Sequence, residues 1–366
     1  MASISIDDNG YSYDELEKKY NDFFAPGFEI YIDGTNIIQN QIAVTKVEVD
    51  TTTDHQADSL QFTVVNLFDP VRRQFKSEKS YFEVGKYVEV RMGYVDKLEA
   101  VFYGVITSVS FDYPVDDQPN IEVSAMDMSY IMMRGKKSRV WNDKTYDVIA
   151  KDIGRKYLSD LKIDTINGEQ AFVVQQNMTD YHFLVHLARK NNFDFFIVGK
   201  TLYFRKKLKS TIPVLRLTWQ KNILRFSAES NLSDQVSAVI VRGWNDETGE
   251  VITAESGQVK RLGSNSKTGS DIMKKLSGET KEILFENIAS VEEARHLADE
   301  ELNRRSLDLV QGRGEILGIP EVRAGKYLQI EGVDKEYDQP LYIIQAKHKI
   351  SSSGYRTSFS IRGNAI

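Results

Sequence analysis

The 366-residue chain is 41 % hydrophobic and 27 % charged, with 47 basic and 53 acidic side chains for a net charge of −6. With its 23 glycines this is an ordinary globular composition, which excludes a disordered or low-complexity chain. The mildly acidic balance is wrong for gripping phosphate backbones. The absence of cysteine excludes disulfides, thiolate nucleophiles, iron–sulfur clusters and cysteine-type zinc sites, and fits a reducing cytosol. No run reaches the ~18 apolar residues of a membrane span, and Met1 to Asp8 has neither the basic start nor the apolar centre of a signal peptide. At roughly 100–200 residues per domain, the length predicts two or three domains.

Residues 1–25 read as an arm, with six acids and two lysines interleaved with Tyr11, Tyr13, Leu16, Tyr20, Phe23 and Phe24. Leu16, Tyr20 and Phe23/Phe24 fall at helical spacing, with Ser12 or Asp14 as the cap. Two readings stand: a frayed terminus, or an arm whose six apolar side chains dock on a neighbouring subunit or another partner. Residues 26–130 alternate with period 2. Val47 and Val49, then Leu60, Phe62 and Val64, then Val88, Val90 and Met92, then Phe102 to Phe111, then Ile121, Val123 and Ala125 mark the strands. Turn signals separate them at Asp33-Gly34, Asp69-Pro70, Gly93-Tyr94 and Asp112 to Pro119, so this region reads as a first antiparallel β-barrel.

Residues 131–206 change period and read as an α/β insert domain. Thr145 caps a helix bearing Val148, Ile149, Ile153 and Tyr157. Thr179 caps a second helix with Phe183, Leu184, Leu187 and Ala188 on one face, and Asn191-Asn192 stops it. A hairpin turning at Gly199-Lys200 follows. Alternation returns over 207–366, at Ile223 to Ser227, Val236 to Gly243, Tyr327 to Ile330, Leu341 to Ile350 and Thr357 to Ile361, and predicts a second barrel. Within it, 263–280 is rich in Gly, Ser, Lys and Asn and reads as a mobile loop, a tolerated insertion rather than a gate. Ser290 to Glu293 is a capping box opening a helix over 291–305 with a buried stripe of Ala294, Leu297, Ala298 and Leu302.

The two β regions resemble each other. Val84-Gly85-Lys86-Tyr87-Val88-Glu89-Val90 matches Ala324-Gly325-Lys326-Tyr327-Leu328-Gln329-Ile330, 240 residues later. A long strand follows each, and then a further strand. The fold class predicted is therefore α+β, mostly β: two related antiparallel barrels with an α/β insert between them. Barrel edges that would otherwise aggregate predict a subunit interface, with Tyr87, Val88, Val90, Tyr327, Leu328 and Ile330 as candidates.

No catalytic, cofactor or metal site emerges. His182 and His186 have the i, i+4 spacing of metal ligands, but the Glu of the peptidase motif is replaced by Phe183 and no third ligand is near. They read as boundary histidines of a helix. Asp116/Asp117, Glu292/Glu293 and Glu300/Glu301 are adjacent carboxylates, which read as solvated faces, whereas a glycosidase needs two facing each other across a sugar. Gly312-Arg313-Gly314 is too short for a phosphate loop. His348 has no placed Ser or Asp, and Arg205 to Lys209 reads as a solvated strand end.

The segment Val174 to Arg189, with Gln175 or Gln176, Asp180, Phe183-Leu184 and Leu187-Ala188, and then Phe195 in the following hairpin, resembles the late-control-protein-D family. These are the baseplate hubs of contractile phage tails, related to the hub part of VgrG proteins. Gly85/Val88/Val90, Phe102/Gly104/Ile106, and His348 with Gly354-Tyr355-Arg356-Thr357 fit the same family in the same order, so the resemblance covers 26–366. It implies a non-enzymatic homotrimer whose six like barrels make a ring, joining a hexameric tail tube to a trimeric central spike. Partners implied are the chain itself, the tube protein, a separate spike protein (VgrG proteins continue beyond the point matching Ile366) and other baseplate proteins, with no specific nucleic-acid binding. The particle, a phage tail or tailocin, would assemble in the bacterial cytoplasm and leave by lysis. The alternatives are the hub of an extracellular contractile injection system and, from another class, a cell-wall hydrolase.

Overall fold

The computed structural model describes residues 6, 9–166, 170–207, 211–245, 249–265, 267–278, 280–288 and 290–366. Alternating burial builds its main sheet. In the strand Ser59–Val65, Leu60, Phe62 and Val64 turn inward and are buried, while Gln61 faces out. From one edge the antiparallel path runs Pro26–Ile32, Tyr87–Tyr94, Lys97–Asp112, Asn120–Asp127, Ser59–Val65 and Ala43–Thr52.

The path then crosses into the C-terminal half. Ala43–Thr52 pairs with Pro340–Ser351, with Val49 opposite His348, and the sheet continues through Gly354–Gly363 and Val310–Leu317 to Arg225–Ser230. The strand Tyr327–Glu331 pairs antiparallel with the start of Pro340–Ser351 and parallel with Pro213–Thr218. One apolar core serves both halves, from Ile30, Val90 and Phe102 to Leu328, Ile343 and Ile361. No barrel closes among the described residues. The two expected barrels are two halves of one open sheet, because Ala43–Thr52 uses its second edge to pair across to the other half.

The repeat read from the sequence is present in the hydrogen bonds. Gly85 N–H donates to the Ile106 carbonyl at 2.8 Å and Ile106 N–H to the Lys86 carbonyl at 2.9 Å; Gly325 N–H donates to the Ile343 carbonyl at 2.9 Å and Ile343 N–H to the Lys326 carbonyl at 2.9 Å. Gly85 and Gly325 both take positive φ, 92° and 88°. The long strand of each half then shifts register at the same place, between Ile106 and Ser108 and between Ile343 and Gln345. Both halves thus share a glycine entry, a paired strand and a β-bulge.

The insert forms its own core around Ile149, Ile153, Phe183, Leu184, Leu187 and Phe195. Helix Tyr146–Gly154 follows Thr145, and helix Asp180–Lys190 is capped by Thr179, whose hydroxyl accepts from His182 N–H at 3.2 Å. Asn192 ends the second helix at φ 49°. Strands Asp160–Ile163, Thr201–Lys206 and Phe193–Val198 make a small sheet, and Lys137–Lys144 with Gln170–Met178 a ribbon. The end of the basic run, Leu208 and Lys209, lies outside the described residues.

Two readings of the C-terminal half need correction. Ala238–Asn245, read as a barrel strand, lies in a separate three-stranded sheet with Glu250–Glu255 and Lys281–Phe285. Its alternation serves a different core, in which Val239 and Val241 pack under Ala294, Leu297, Ala298 and Leu302 of helix Val291–Ser306. The expected loop 263–280 contains helix Gly269–Ser277, opened by a reciprocal capping box between Thr268 and Asp271; Ser266 and Glu279 lie outside the described residues. End chemistry outweighs the polar composition there.

The arm is also corrected. Residues 1–5, 7 and 8 lie outside the described residues. Ser12 caps helix Tyr13–Lys19 in a capping box with Glu15, and Leu16, Tyr20 and Phe23 are buried in the chain's own core, with Tyr11 and Tyr13 packed against it. Each such burial contributes about 1.5–3 kcal/mol, which accounts for these side chains without a partner. Only Phe24 of the six stays exposed, at 75 %. Lys19 pairs with Glu99 of the first half at 2.7 Å and with Glu321 of the second at 2.8 Å, and Tyr20 donates to Glu321 at 2.8 Å.

A Cβ at Gly85 would meet nothing within 4 Å, whereas at Gly325 it would lie 3.1 Å from Arg205 and 3.2 Å from Phe196. Gly85→Ala is therefore expected to cost the left-handed strain alone, about 1–2 kcal/mol, and Gly325→Ala more. Urea unfolding of the two variants checks the order.

Candidate functional site: the joint between the halves

The polar chemistry of the molecule converges where the halves and the insert meet. Asp58, on the approach to Ser59–Val65, accepts from Thr52 N–H at 2.9 Å and pairs with Arg323 of the second half. Arg323 also donates to the Val101 carbonyl at 3.2 Å, and Ala324 N–H donates to the Thr51 hydroxyl at 3.2 Å. Asp127 ends its strand at the entry to the insert. Its two oxygens accept from Asp58 N–H and Ser129 N–H, each at 2.7 Å. Burial pushes the Asp127 carboxyl up, and the neighbouring Asp58 charge adds to it. Arg323 offsets part of the same burial effect on Asp58. Burial thus raises both carboxyls, and Asp58 alone has a cation beside it to oppose the rise.

His348 lies one strand away, fully enclosed. Its Nε2 lies 2.9 Å from the Val322 carbonyl, which can only accept, so Nε2 carries the proton. Nδ1 then accepts from the hydroxyls of Tyr355 at 2.9 Å or Thr357 at 3.0 Å. Burial lowers its pKa to about 4, so the ring is neutral. These partners tie the late strand pair to the loop that carries Arg323, a structural role.

The other sequence candidates do not converge. His182 is exposed and bonds Thr179 through Nδ1 at 2.7 Å; His186, one turn on, lines a crevice of about 570 Å³ between insert, sheet and helix Val291–Ser306. Several charges along that crevice are paired, Lys190 with Glu286 at 3.4 Å, Arg304 with Glu301 at 2.7 Å, and Arg362 with Asp308. Among the described residues no group of three His, Asp or Glu side chains is arranged to hold a metal. Glu300 accepts from Asn192 at 3.1 Å while Glu301 is held by Arg304 and Arg305, so this pair points to different partners and faces no common substrate space.

The interface candidates lie within the chain's own sheet. Val88, Val90, Tyr327, Leu328 and Ile330 are buried and only Tyr87 is exposed, its ring stacked on Tyr103 at 6.0 Å. Tyr87–Tyr94 is paired on both sides, as is Tyr327–Glu331, so neither is an edge. Among the described residues, unpaired edges include the outer half of Lys97–Asp112 beyond its pairing with Tyr87, and Arg225–Ser230 on the side away from Val310–Leu317.

This fold is shared with phage tail proteins. The 43 kDa tail protein of prophage MuSo2 from Shewanella oneidensis is 15 % identical with a TM-score of 0.68, over 92 % of this chain and 98 % of that one. A tail protein of Neisseria meningitidis MC58 is 13 % identical with a TM-score of 0.65, over 93 % and 97 %. An Escherichia coli component of the type VI secretion system, described as similar to the T4 tail proteins gp27 and gp5, is 12 % identical with a TM-score of 0.55, over 92 % and 77 %. The baseplate-hub resemblance read from the sequence thus extends to the fold. The chain belongs to the family described as the Alg8 N-terminal domain, which matches residues 21–352. No curated protein sequence matches significantly.

Two outcomes follow from the joint. Arg323→Met strands Asp58 in the interior and is expected to cost about 3–5 kcal/mol in urea unfolding. His348 resists protonation until about pH 4, whereas the unfolded chain takes that proton near 6.5, so its contribution to stability falls as pH drops through that window, by about 3 kcal/mol. Asp127 acts oppositely, since its raised pKa lets the folded state bind a proton first on acidification. Unfolding at pH 7 and pH 4 should show His348→Gln losing less stability than the parent, and Asp127→Asn losing more.

Proposed function

We propose that the chain is a structural baseplate hub, a homotrimer that adapts a hexameric tail tube to a trimeric central spike. The observation that carries this is the repeat within the fold: two halves with the same glycine entry, the same pair of backbone hydrogen bonds and the same bulge. Three copies of a chain with two like halves present six like sheets around one axis, with true threefold and approximate sixfold symmetry. One face of such a ring matches a hexamer and the other a trimer. The shared fold of phage tail proteins supports the setting.

The proposed partners are the tube protein, a central spike and other baseplate proteins. The particle forms in the bacterial cytoplasm and is released by lysis. The role needs no catalysis, and the paired charges of the crevice and the divergent Glu300 and Glu301 fit it. Light scattering after size exclusion is expected to give about three times the 41.8 kDa chain mass. A monomer that persists when spike and tube proteins are co-expressed overturns the reading.

A further inference from the structure

The joint inside the chain is a template for a joint between chains. Within one copy, Ala43–Thr52 pairs with the outer half of Pro340–Ser351: Thr51 opposite Ala346, Val49 opposite His348 and Val47 opposite Ile350. The repeat gives each partner a counterpart. Pro340–Ser351 corresponds to Lys97–Asp112, since Tyr342, Ile343 and Ala346 oppose Arg362, Ile361 and Phe359 just as Val105, Ile106 and Val109 oppose Met126, Ala125 and Val123, across the same bulge. Ala43–Thr52 corresponds to Arg225–Ser230. Val49 pairs with Leu60, and Leu60 with Ala125; Ala228 pairs with Gly312, and Gly312 with Ile361.

The template joint is made in one place and left open in the other. Among the described residues no strand pairs with the far edge of Ser108–Asp112, and Arg225–Ser230 pairs only with Val310–Leu317. A single chain does not close these two edges on each other. Carrying the register across places Phe111 opposite Ala228, Val109 opposite Ser230 and Tyr113 opposite Phe226. Side chains whose counterparts are buried at the internal joint are exposed here, Phe111 at 42 % and Tyr113 at 61 %. On the outer face of the internal joint, Glu48 pairs with Lys347 at 3.5 Å and Lys349 at 3.3 Å. At the open edges, the same register puts Asp112 opposite Ser227, with Arg225 and Glu229 as its diagonal neighbours.

We propose that a second copy of this chain completes the sheet: the free edge at Ser108–Asp112 of one copy adds antiparallel to Arg225–Ser230 of the next, with Phe111 facing Ala228. The inference rests on the trimeric reading above and supplies its surface and register. The contact is head-to-tail, so it propagates around an axis and closes when three internal and three intermolecular joints alternate. It also covers the two exposed edges, which would otherwise invite non-specific pairing.

The cysteine-free chain makes the test clean. Residues directly opposite in an antiparallel pair have Cα atoms about 4.5–5.5 Å apart, within disulfide reach. The double variants Phe111→Cys/Ala228→Cys and Val109→Cys/Ser230→Cys are oxidised mildly and run on non-reducing gels, with Lys347→Cys/Asp50→Cys as the intrachain control. Covalent dimers and trimers from both pairs, with only monomer from the control and none from the out-of-register pair Phe111→Cys/Arg225→Cys, is the expected result. Wild-type trimers by light scattering without either cross-link overturn this interface and leave the hub reading standing. Equal linking by Phe111→Cys/Arg225→Cys overturns the register. A wild-type monomer throughout, spike and tube proteins included, removes the hub reading and this inference together.

Discussion

The pairing of Ala43–Thr52 with Pro340–Ser351 is the constraint on which the rest of the structure depends. It turns two repeated halves, far apart in sequence, into one sheet over one core. Everything polar around it holds that pairing in register. Arg323 crosses from the second half to Asp58, Thr51 receives the Ala324 N–H, and His348 ties its strand to the loop that carries Arg323. A strand slip of one residue would turn Val47 and Val49 to the outside and Glu48 inward, so the buried pair acts as a register pin as well as a link. The insert leaves the sheet at Asp127 and Ser129, directly beside this pin. The position of the insert therefore depends on the same few hydrogen bonds.

What the sequence disclosed follows from how local each signal is. Leu60, Phe62 and Val64 advertise a one-sided strand, and Thr179 with Phe183, Leu184 and Leu187 advertises a capped amphipathic helix, because period and cap are written within a dozen residues. The glycine-entry repeat was legible at Gly85 and Gly325 for the same reason. Pairing was not. Nothing local in Val47 or Val49 says that the second edge is reserved for residues some 300 positions away, so two closed barrels were the natural expectation. The alternation of Val239 and Val241 is indistinguishable from that of a main-sheet strand until its parallel partner Lys281–Phe285 is known. Helix Gly269–Ser277 carries a weak start signal, because its cap uses Asp271 where Glu or Gln is the usual partner.

The interface candidates lie inside the chain's own pairing. Val88 and Leu328 sit in the matched strands of the repeat, which the fold itself uses, and both strands are paired on each side. A repeat points to an assembly surface through its broken equivalences: what one half satisfies internally and the other leaves open. That comparison needs the bulge positions at Ile106 and Ile343, which appear only in the backbone.

The arm has a consequence for biosynthesis. Lys19 and Tyr20 leave the ribosome well before their partner Glu321, which lies in the second half. The arm helix, at 7 residues, is too short to persist alone. Its docking site does not exist until the second half has been translated and has folded against the first. The arm is thus made before its site exists, and it seats only after the two halves have joined.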